Sequence, residues 1–178
     1  MTITVGPVLT APMLHVNEQS AIEMRAVKNV ADSEEFSQSV QDIEGDVWPA
    51  AAPEDTYLVR TIHRMRQVPI GELDIEGLRI MLSQNVGTTA ILSRALDQLE
   101  ANPLAAGHFG PGDLLRAVLR LHEERWSDSA EVLAKVRGIA QRADVMIVET
   151  DGAQVPELRG LIVKFLSDRS EVDPGRTH

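Results

Sequence analysis

The sequence predicts a mainly α-helical protein that folds as one compact multi-helix domain. Apolar residues recur every three to four positions in several separate stretches, which is the period of an amphipathic helix. Short breaks rich in Pro and Gly separate those stretches, which is typical of closely connected helices. The chain has 178 residues, and 43% of them are hydrophobic but only 3% are aromatic. The core must therefore be built mainly from aliphatic side chains.

The N-terminal part is the least regular. Residues 1–31 are predicted to be a partly flexible extension, because two prolines interrupt a weakly β-like composition. A helix is predicted from Ser33 to Ile43, with Ser33 as its cap and Gly45 as its end. Prolines in residues 48–53 then indicate an extended connection to the next helix.

The middle of the chain has the clearest helical periodicity, with apolar stripes that should face a shared core. The predicted starting or capping residues of its four helices are Asp55 or Thr56, Asp74, Thr88 and Asp113. Asn102-Pro103 should stop the third of these helices. At the joint between the second and third helices, the position of Gly87 predicts a left-handed C-cap.

The last third begins with Asp128 and Glu131, whose spacing is that of a capping box. The β-branched run Val145–Val148 is predicted to be a short strand, so a small hairpin with an N-terminal segment stays open as an addition to the helical domain. Pro156 is predicted to start the final helix. The helical domain should span residues 32–168, followed by a flexible tail at 169–178.

The negative charge is concentrated near the N-terminus. The net charge is −10, and residues 1–59 contain ten acidic and two basic residues. Such a surface repels nucleic acid and attracts a basic partner, although it also simply keeps a protein in solution. The candidate partner-binding residues are Glu34, Glu35, Asp42, Glu44, Asp46, Glu54 and Asp55. The alternative is that these side chains only form a solvated acidic surface.

No pattern specific to catalysis is found. The chain has no cysteine, and no two of its five histidines lie three or four residues apart. Gly107, Gly110 and Gly112 are not followed by the Lys-Ser/Thr of a phosphate loop. The sequence therefore predicts no catalytic, metal-binding or cofactor-binding residue and no cofactor, although a small helical enzyme or metal-binding protein remains the competing hypothesis. No apolar run is long enough to cross a membrane.

Eight arginines are concentrated in the middle of the chain, where the net charge is nearly zero and stacking aromatic residues are few. Binding to single-stranded nucleic acid would favour the opposite composition. We therefore expect the arginines to form ion pairs with local acids. Arg79 borders the apolar face of its helix, which predicts a buried or half-buried pair with a carboxylate.

Four stretches of the central region resemble the immunity proteins of contact-dependent growth inhibition systems. The stretches lie at residues 57–60, 69–87, 95–107 and 112–120, and Trp126 resembles an aromatic residue that often follows them. They contain a Pro-x3-Leu-x4-Leu-Arg helix, a Gln-x2-Gly joint, an Asn-Pro-Leu-Ala-x-Gly stop and a Gly-Asp-Leu-Leu helix. Together they cover roughly residues 44–127, with smaller side chains at 88–90 and fewer aromatic residues at 109–111 than the family usually has.

The resemblance implies a cytoplasmic protein that binds and neutralises the C-terminal toxin domain of a cognate effector, often a nuclease. An acidic inhibitor suits a basic nucleic-acid-cutting toxin, because opposite charges speed association. The shared motif residues are expected to form the scaffold, and partner specificity is expected at exposed positions elsewhere. An acidic helical regulatory or scaffold protein with another protein partner is the alternative.

Overall fold

The computed structural model describes residues 36–122, 129–149 and 155–167, and this part of the chain is mainly helical, which confirms the mainly α prediction. The seven helices are α1 Val40–Glu44, α2 Tyr57–Met65, α3 Ile75–Ser83, α4 Thr88–Ala101, α5 Asp113–Leu119, α6 Ala130–Glu149 and α7 Pro156–Ser167. A short 3-10 turn, Ile70–Glu72, precedes α3. The expectations for residues 1–35 and for the C-terminal tail lie outside the described residues.

The core forms where the apolar faces of α3 to α7 meet. Helix α3 packs on α4 and α5, and α7 packs on both α5 and α6. Helix α4 also packs on α6, so these two helices belong to the same core. The fully buried large side chains are almost all aliphatic, as the composition predicts; they include Leu78, Leu82, Ile91, Leu96, Leu99, Leu114, Leu115 and Ile139.

Helix α1 is shorter than predicted, because residues 36–39 pair with another part of the chain. The backbone N–H of Gly71 donates to Phe36 O at 2.8 Å, and that of Ile70 donates to Gln38 O at 2.9 Å. The carbonyls of Phe36 and Gln38 therefore accept hydrogen bonds from the 70–71 backbone instead of from a helix, and α1 begins after them. Ser39 caps α1 in a capping box with Asp42, whereas the predicted cap Ser33 lies outside the described residues. Gly45 ends the helix, as predicted, and it has the left-handed conformation.

The joint between α3 and α4 uses two left-handed residues. Asn85, with φ 57°, is the left-handed residue that ends α3, since the N–H groups of Asn85 and Val86 donate to Leu82 O and Met81 O. This is the Schellman arrangement. Gly87 has the predicted left-handed conformation, but it is the N-cap of α4 rather than the C-cap of α3. A Cβ at Gly87 would lie 2.6 Å from Val40 Cγ1, so glycine also allows α1 to approach.

The structure confirms two of the predicted N-caps and corrects a third. Thr56 and Asp74 cap α2 and α3 with their side chains, as predicted. Asp113 does not cap α5: Gly112 takes the capping position in the left-handed conformation, and Asp113 is the first helical residue. At the start of α6, Ser129 Oγ accepts from the N–H of Val132, whereas the predicted capping residue Asp128 lies outside the described residues.

The strand predicted at Val145–Val148 is wrong, because these residues belong to the C-terminal part of α6. Ile147 is buried on the same helical face as Ile139 and Ala143, at spacings of eight and four residues. The face therefore continues the period of the preceding turns. Packing against the core has outweighed the modest β preference of a four-residue β-branched run.

Candidate functional site

The predicted acidic contact residues lie on α1 and on the segment 45–56 that joins α1 to α2; this stretch, residues 42–56, is called the acidic segment below. Asp42, Glu44, Asp46 and Glu54 are exposed, and Asp55 is half-buried. Glu34 and Glu35 lie outside the described residues. Five of the seven predicted residues therefore lie on one continuous stretch of the chain at the protein surface.

Arg66, just after α2, organises the start of the acidic segment. Its side chain is only 2% exposed, and its Nη1 donates to Glu44 Oε2 at 2.6 Å. Its Nη2 donates to the backbone O of Asp46 at 2.9 Å, and its guanidinium carbon lies 4.1 Å from the centre of the Trp48 ring. The Trp48 indole in turn donates to Asp46 Oδ2 at 2.9 Å. One buried cation therefore fixes the position of two exposed carboxylates.

Two further basic side chains of α2 hold the rest of the acidic segment. His63 Nδ1 lies 3.0 Å from the backbone O of Pro49, and the His63 ring packs edge-on against Trp48. Arg60 donates to the backbone O of Pro53 at 3.0 Å and also to that of Asp55. Arg66, after the end of α2, thus contacts the start of the acidic segment, His63 contacts its middle, and Arg60 contacts its end. The segment therefore has a defined conformation, although residues 45–56 contain no helix.

Asp42 and Asp55 also stabilise the backbone locally. The Ser39 hydroxyl and backbone N–H both donate to Asp42 Oδ2, and they lower the pKa of the Asp42 carboxyl below its ordinary value. Asp55 Oδ2 accepts from the N–H of Ala52 at 2.7 Å. Both carboxylates thus keep the segment in shape and contribute negative charge to its surface.

Exposed apolar side chains lie among these acids. Ile43, Val47, Tyr57 and Leu58 are four of the large hydrophobic residues that the described part of the chain leaves exposed. Such residues are common in the centre of protein interfaces, where charged groups form the rim. The acidic segment and its neighbours therefore combine the two kinds of side chain that a protein partner requires.

A second charged region surrounds Asp113, at the start of α5. Asp113 is 3% exposed, and its carboxylate accepts from the N–H groups of Gly107 at 2.7 Å and Phe109 at 3.1 Å. Glu76 Oε2 accepts from the intervening N–H of His108 at 2.9 Å. Two carboxylates thus fix three consecutive amides of the loop before α5. Sequence reasoning missed this role, because an Asp at a helix start looks the same whether it caps the helix or holds a preceding loop.

Arg79 forms the predicted half-buried pair with a carboxylate, that of Glu76, and it also lies close to Asp113. Its Nε and Nη2 donate to Glu76 Oε2 at 2.8 Å and Oε1 at 2.7 Å, and its Nε lies 3.9 Å from Asp113 Oδ2. The bond from Arg79, together with that from His108, lowers the pKa of Glu76 against the opposing effect of burial. The hydrogen bond to Glu76 in turn raises the pKa of Arg79. Both groups are therefore held in their charged forms.

The described residues contain no group of three or more His, Asp or Glu side chains placed to hold a metal ion. Among the described helices, none combines the length and the apolar character that crossing a bilayer requires. In each charged region a buried charged side chain, Arg66 or Asp113, bonds to nearby groups and fixes the backbone around it. The chemistry that this arrangement offers is recognition of another charged surface.

The comparison with known families identifies the class of protein. The family of CDI immunity proteins matches residues 42–136, which is more than half of the chain and includes both charged regions. The chain therefore belongs to the family of CDI immunity proteins, as the four motifs predicted. A search of curated proteins finds no match.

The structure also explains two of the shared motifs. The glycine that ends the Asn-Pro-Leu-Ala-x-Gly stop is Gly107, and its N–H is held by Asp113 of the Gly-Asp-Leu-Leu motif. At Gly112 of the same motif, an added Cβ would collide with Leu158 of α7. These motif residues shape the loop and the packing of α5, which is the scaffold role expected for them.

Proposed function

We propose that this protein binds and neutralises the C-terminal toxin domain of a contact-dependent growth inhibition effector. Membership of the immunity family over residues 42–136 carries this proposal. The protein acts in the cytoplasm, where the toxin is delivered, and it acts by binding rather than by catalysing a reaction. It forms a stable complex with the toxin domain of its own system and gives little protection against unrelated toxins.

The acidic segment supplies the negative contact surface of this complex. Its carboxylates at Asp42, Glu44, Asp46, Glu54 and Asp55 are supported by a fixed backbone, with Glu34 and Glu35 preceding them in sequence. A fixed surface loses little conformational entropy on binding, so its charge acts fully on the partner. A toxin that cuts nucleic acid carries a basic active-site cleft, and it is the partner that this surface fits best.

The first experiment mixes the purified protein with the toxin domain encoded beside it. Size-exclusion chromatography should show a complex, and co-expression should restore the growth of cells that produce the toxin domain. Assays of the toxin domain on RNA and DNA test whether it is a nuclease. A toxin domain that neither binds this protein nor loses toxicity in its presence would refute the proposed function.

A second experiment tests the acidic segment with charge reversal. The double variant D46K/E54K should slow association with the toxin domain about tenfold at low salt, since two attractive charges become repulsive. The difference should shrink at high salt because of screening. The matched control reverses Glu131 and Glu149, two exposed acids of α6, in E131K/E149K, which changes the net charge equally. Equal slowing in both variants would show that only the net charge matters.

A further inference from the structure

A cavity of about 400 Å³ lies between α3 and α5. Three guanidinium groups, those of Arg79, Arg116 and Arg120, and one carboxylate, that of Asp113, are part of its wall. Asp113 is buried, and both of its oxygens accept from loop amides. The charge that the wall offers to an incoming group is therefore mainly positive.

Arg116 and Arg120 share a single acid. Arg120 Nη2 donates to Glu157 Oε1, and Arg116 Nη1 lies 3.9 Å from Glu157 Oε2. Glu157, on α7, is mostly exposed, so water weakens its hold on both arginines. A guanidinium has five N–H donors, and the two oxygens of one carboxylate satisfy few of the ten that this pair carries. The pair keeps the capacity to bind a second anion.

Phe109 stands at the rim of the same cavity. Its side chain is 70% exposed, yet its backbone N–H is fixed by Asp113, and the guanidinium of Arg79 lies 4.7 Å from its ring centre. Aromatic and arginine side chains are enriched in protein interfaces relative to the rest of the surface, and they often carry much of the binding energy. The ring and the arginines therefore fit a partner side chain with an apolar stem and an acidic end.

We propose that this cavity receives an acidic side chain of the toxin domain, whose carboxylate binds Arg116 and Arg120 while its stem packs on Phe109. Carboxylate is the chosen occupant because a planar guanidinium pairs with it in a two-bond geometry. This inference rests on the proposed function and extends it. The interface then has two signs, negative at the acidic segment and positive at the cavity, so a partner that is merely basic satisfies only half of it.

The test compares R120Q with R159Q in binding to the toxin domain. Both arginines are about half exposed, and both pair with an acid of another helix, Arg159 Nε with Asp144 Oδ1 at 3.4 Å, but only Arg120 lines the cavity. R120Q should weaken the complex about tenfold or more, because a charged hydrogen bond is lost, and R159Q by about twofold at most. Removing the ring in F109A should also weaken the complex, compared with V163A at another exposed apolar position.

A second step identifies the partner group. Each surface Asp and Glu of the toxin domain is changed to Asn or Gln, and its effect on affinity is measured with the wild-type chain and with R120Q. One acid should lose its effect in the R120Q background, which is the signature of a direct contact in a double-mutant cycle.

The outcomes are separable. If the wild-type chain forms no complex, the proposed function fails and this inference fails with it. If the complex forms but R120Q and R159Q bind equally, the cavity contact alone is refuted. Thermal unfolding of both variants, which should agree closely for such exposed residues, confirms that the comparison reports on binding.

Discussion

The acidic segment and the loop at residues 107–113 are built on opposite charges. In the acidic segment the buried charge is Arg66, and the acids Glu44 and Asp46 around it are exposed. In the loop the buried charge is Asp113, while Arg116 and Arg120 beyond it reach the surface. Each buried charge fixes a stretch of backbone that has no helix of its own. The buried charge is therefore positive beside the acidic segment and negative beside the arginines that reach the surface.

The largest expected effect is at Asp113. Replacement by Ala removes a buried carboxylate and leaves the partly buried N–H groups of Gly107 and Phe109 without their acceptor, so we expect the free energy of unfolding to fall by about 3 kcal/mol. D74A is the control, because Asp74 is an exposed helix cap whose loss costs about 1 kcal/mol. Urea unfolding followed by circular dichroism measures both. Equal losses would mean that Asp113 acts as an ordinary cap, as the sequence first indicated.

Arg66 should show a smaller effect of the same kind. R66Q removes the buried cation, but Glu44 and Asp46 can then be hydrated, so the expected loss is about 2 kcal/mol. E44Q should cost less than about 1 kcal/mol, because Arg66 keeps its bond to Asp46 O and its contact with Trp48. In a W126F background, Trp48 fluorescence should change in R66Q and stay nearly constant in E44Q. The reverse order of stability would contradict the assignment of Arg66 as the buried anchor.

Glu76 gives the smallest effect, and it depends on pH. Its pKa is lowered in the folded protein, chiefly by the bond from Arg79, so ionised Glu76 stabilises the fold above its unfolded pKa. That contribution is lost as the pH falls through the lowered folded pKa. E76Q should therefore be less stable by about 0.5 to 1 kcal/mol at pH 7, and this difference in stability should narrow as the pH falls below the unfolded pKa of the carboxyl. A gap of equal size in E72Q would show that net charge, rather than the Arg79 contact, is responsible.

Local pattern predicted most of the helices. Thr56 and Asp74 cap helices whose apolar stripes face the core, and Pro156 starts the last helix, because these signals involve residues within one or two turns of each other. The Arg79 pair was predictable for the same reason, since Glu76 lies one turn away on the same helix. The prediction at 145–148 was wrong because packing against the core decided between strand and helix. The prediction at Asp113 was wrong because its carboxylate bonds to the preceding loop rather than to the first turn of the helix.

The amino-acid sequence by itself determined the mainly α class, the family motifs and the concentration of acids before residue 56. Those properties depend on periodicity, spacing and composition, which the chain carries wherever its parts come to lie. Only the tertiary structure decided that Arg66 is the buried partner of Glu44, twenty-two residues away, and that Arg120 meets Glu157 of α7. Burial depends on which helices pack together, and it sets the strength of each ion pair. The acidic segment was therefore visible in the sequence, whereas the arginine-lined cavity was not.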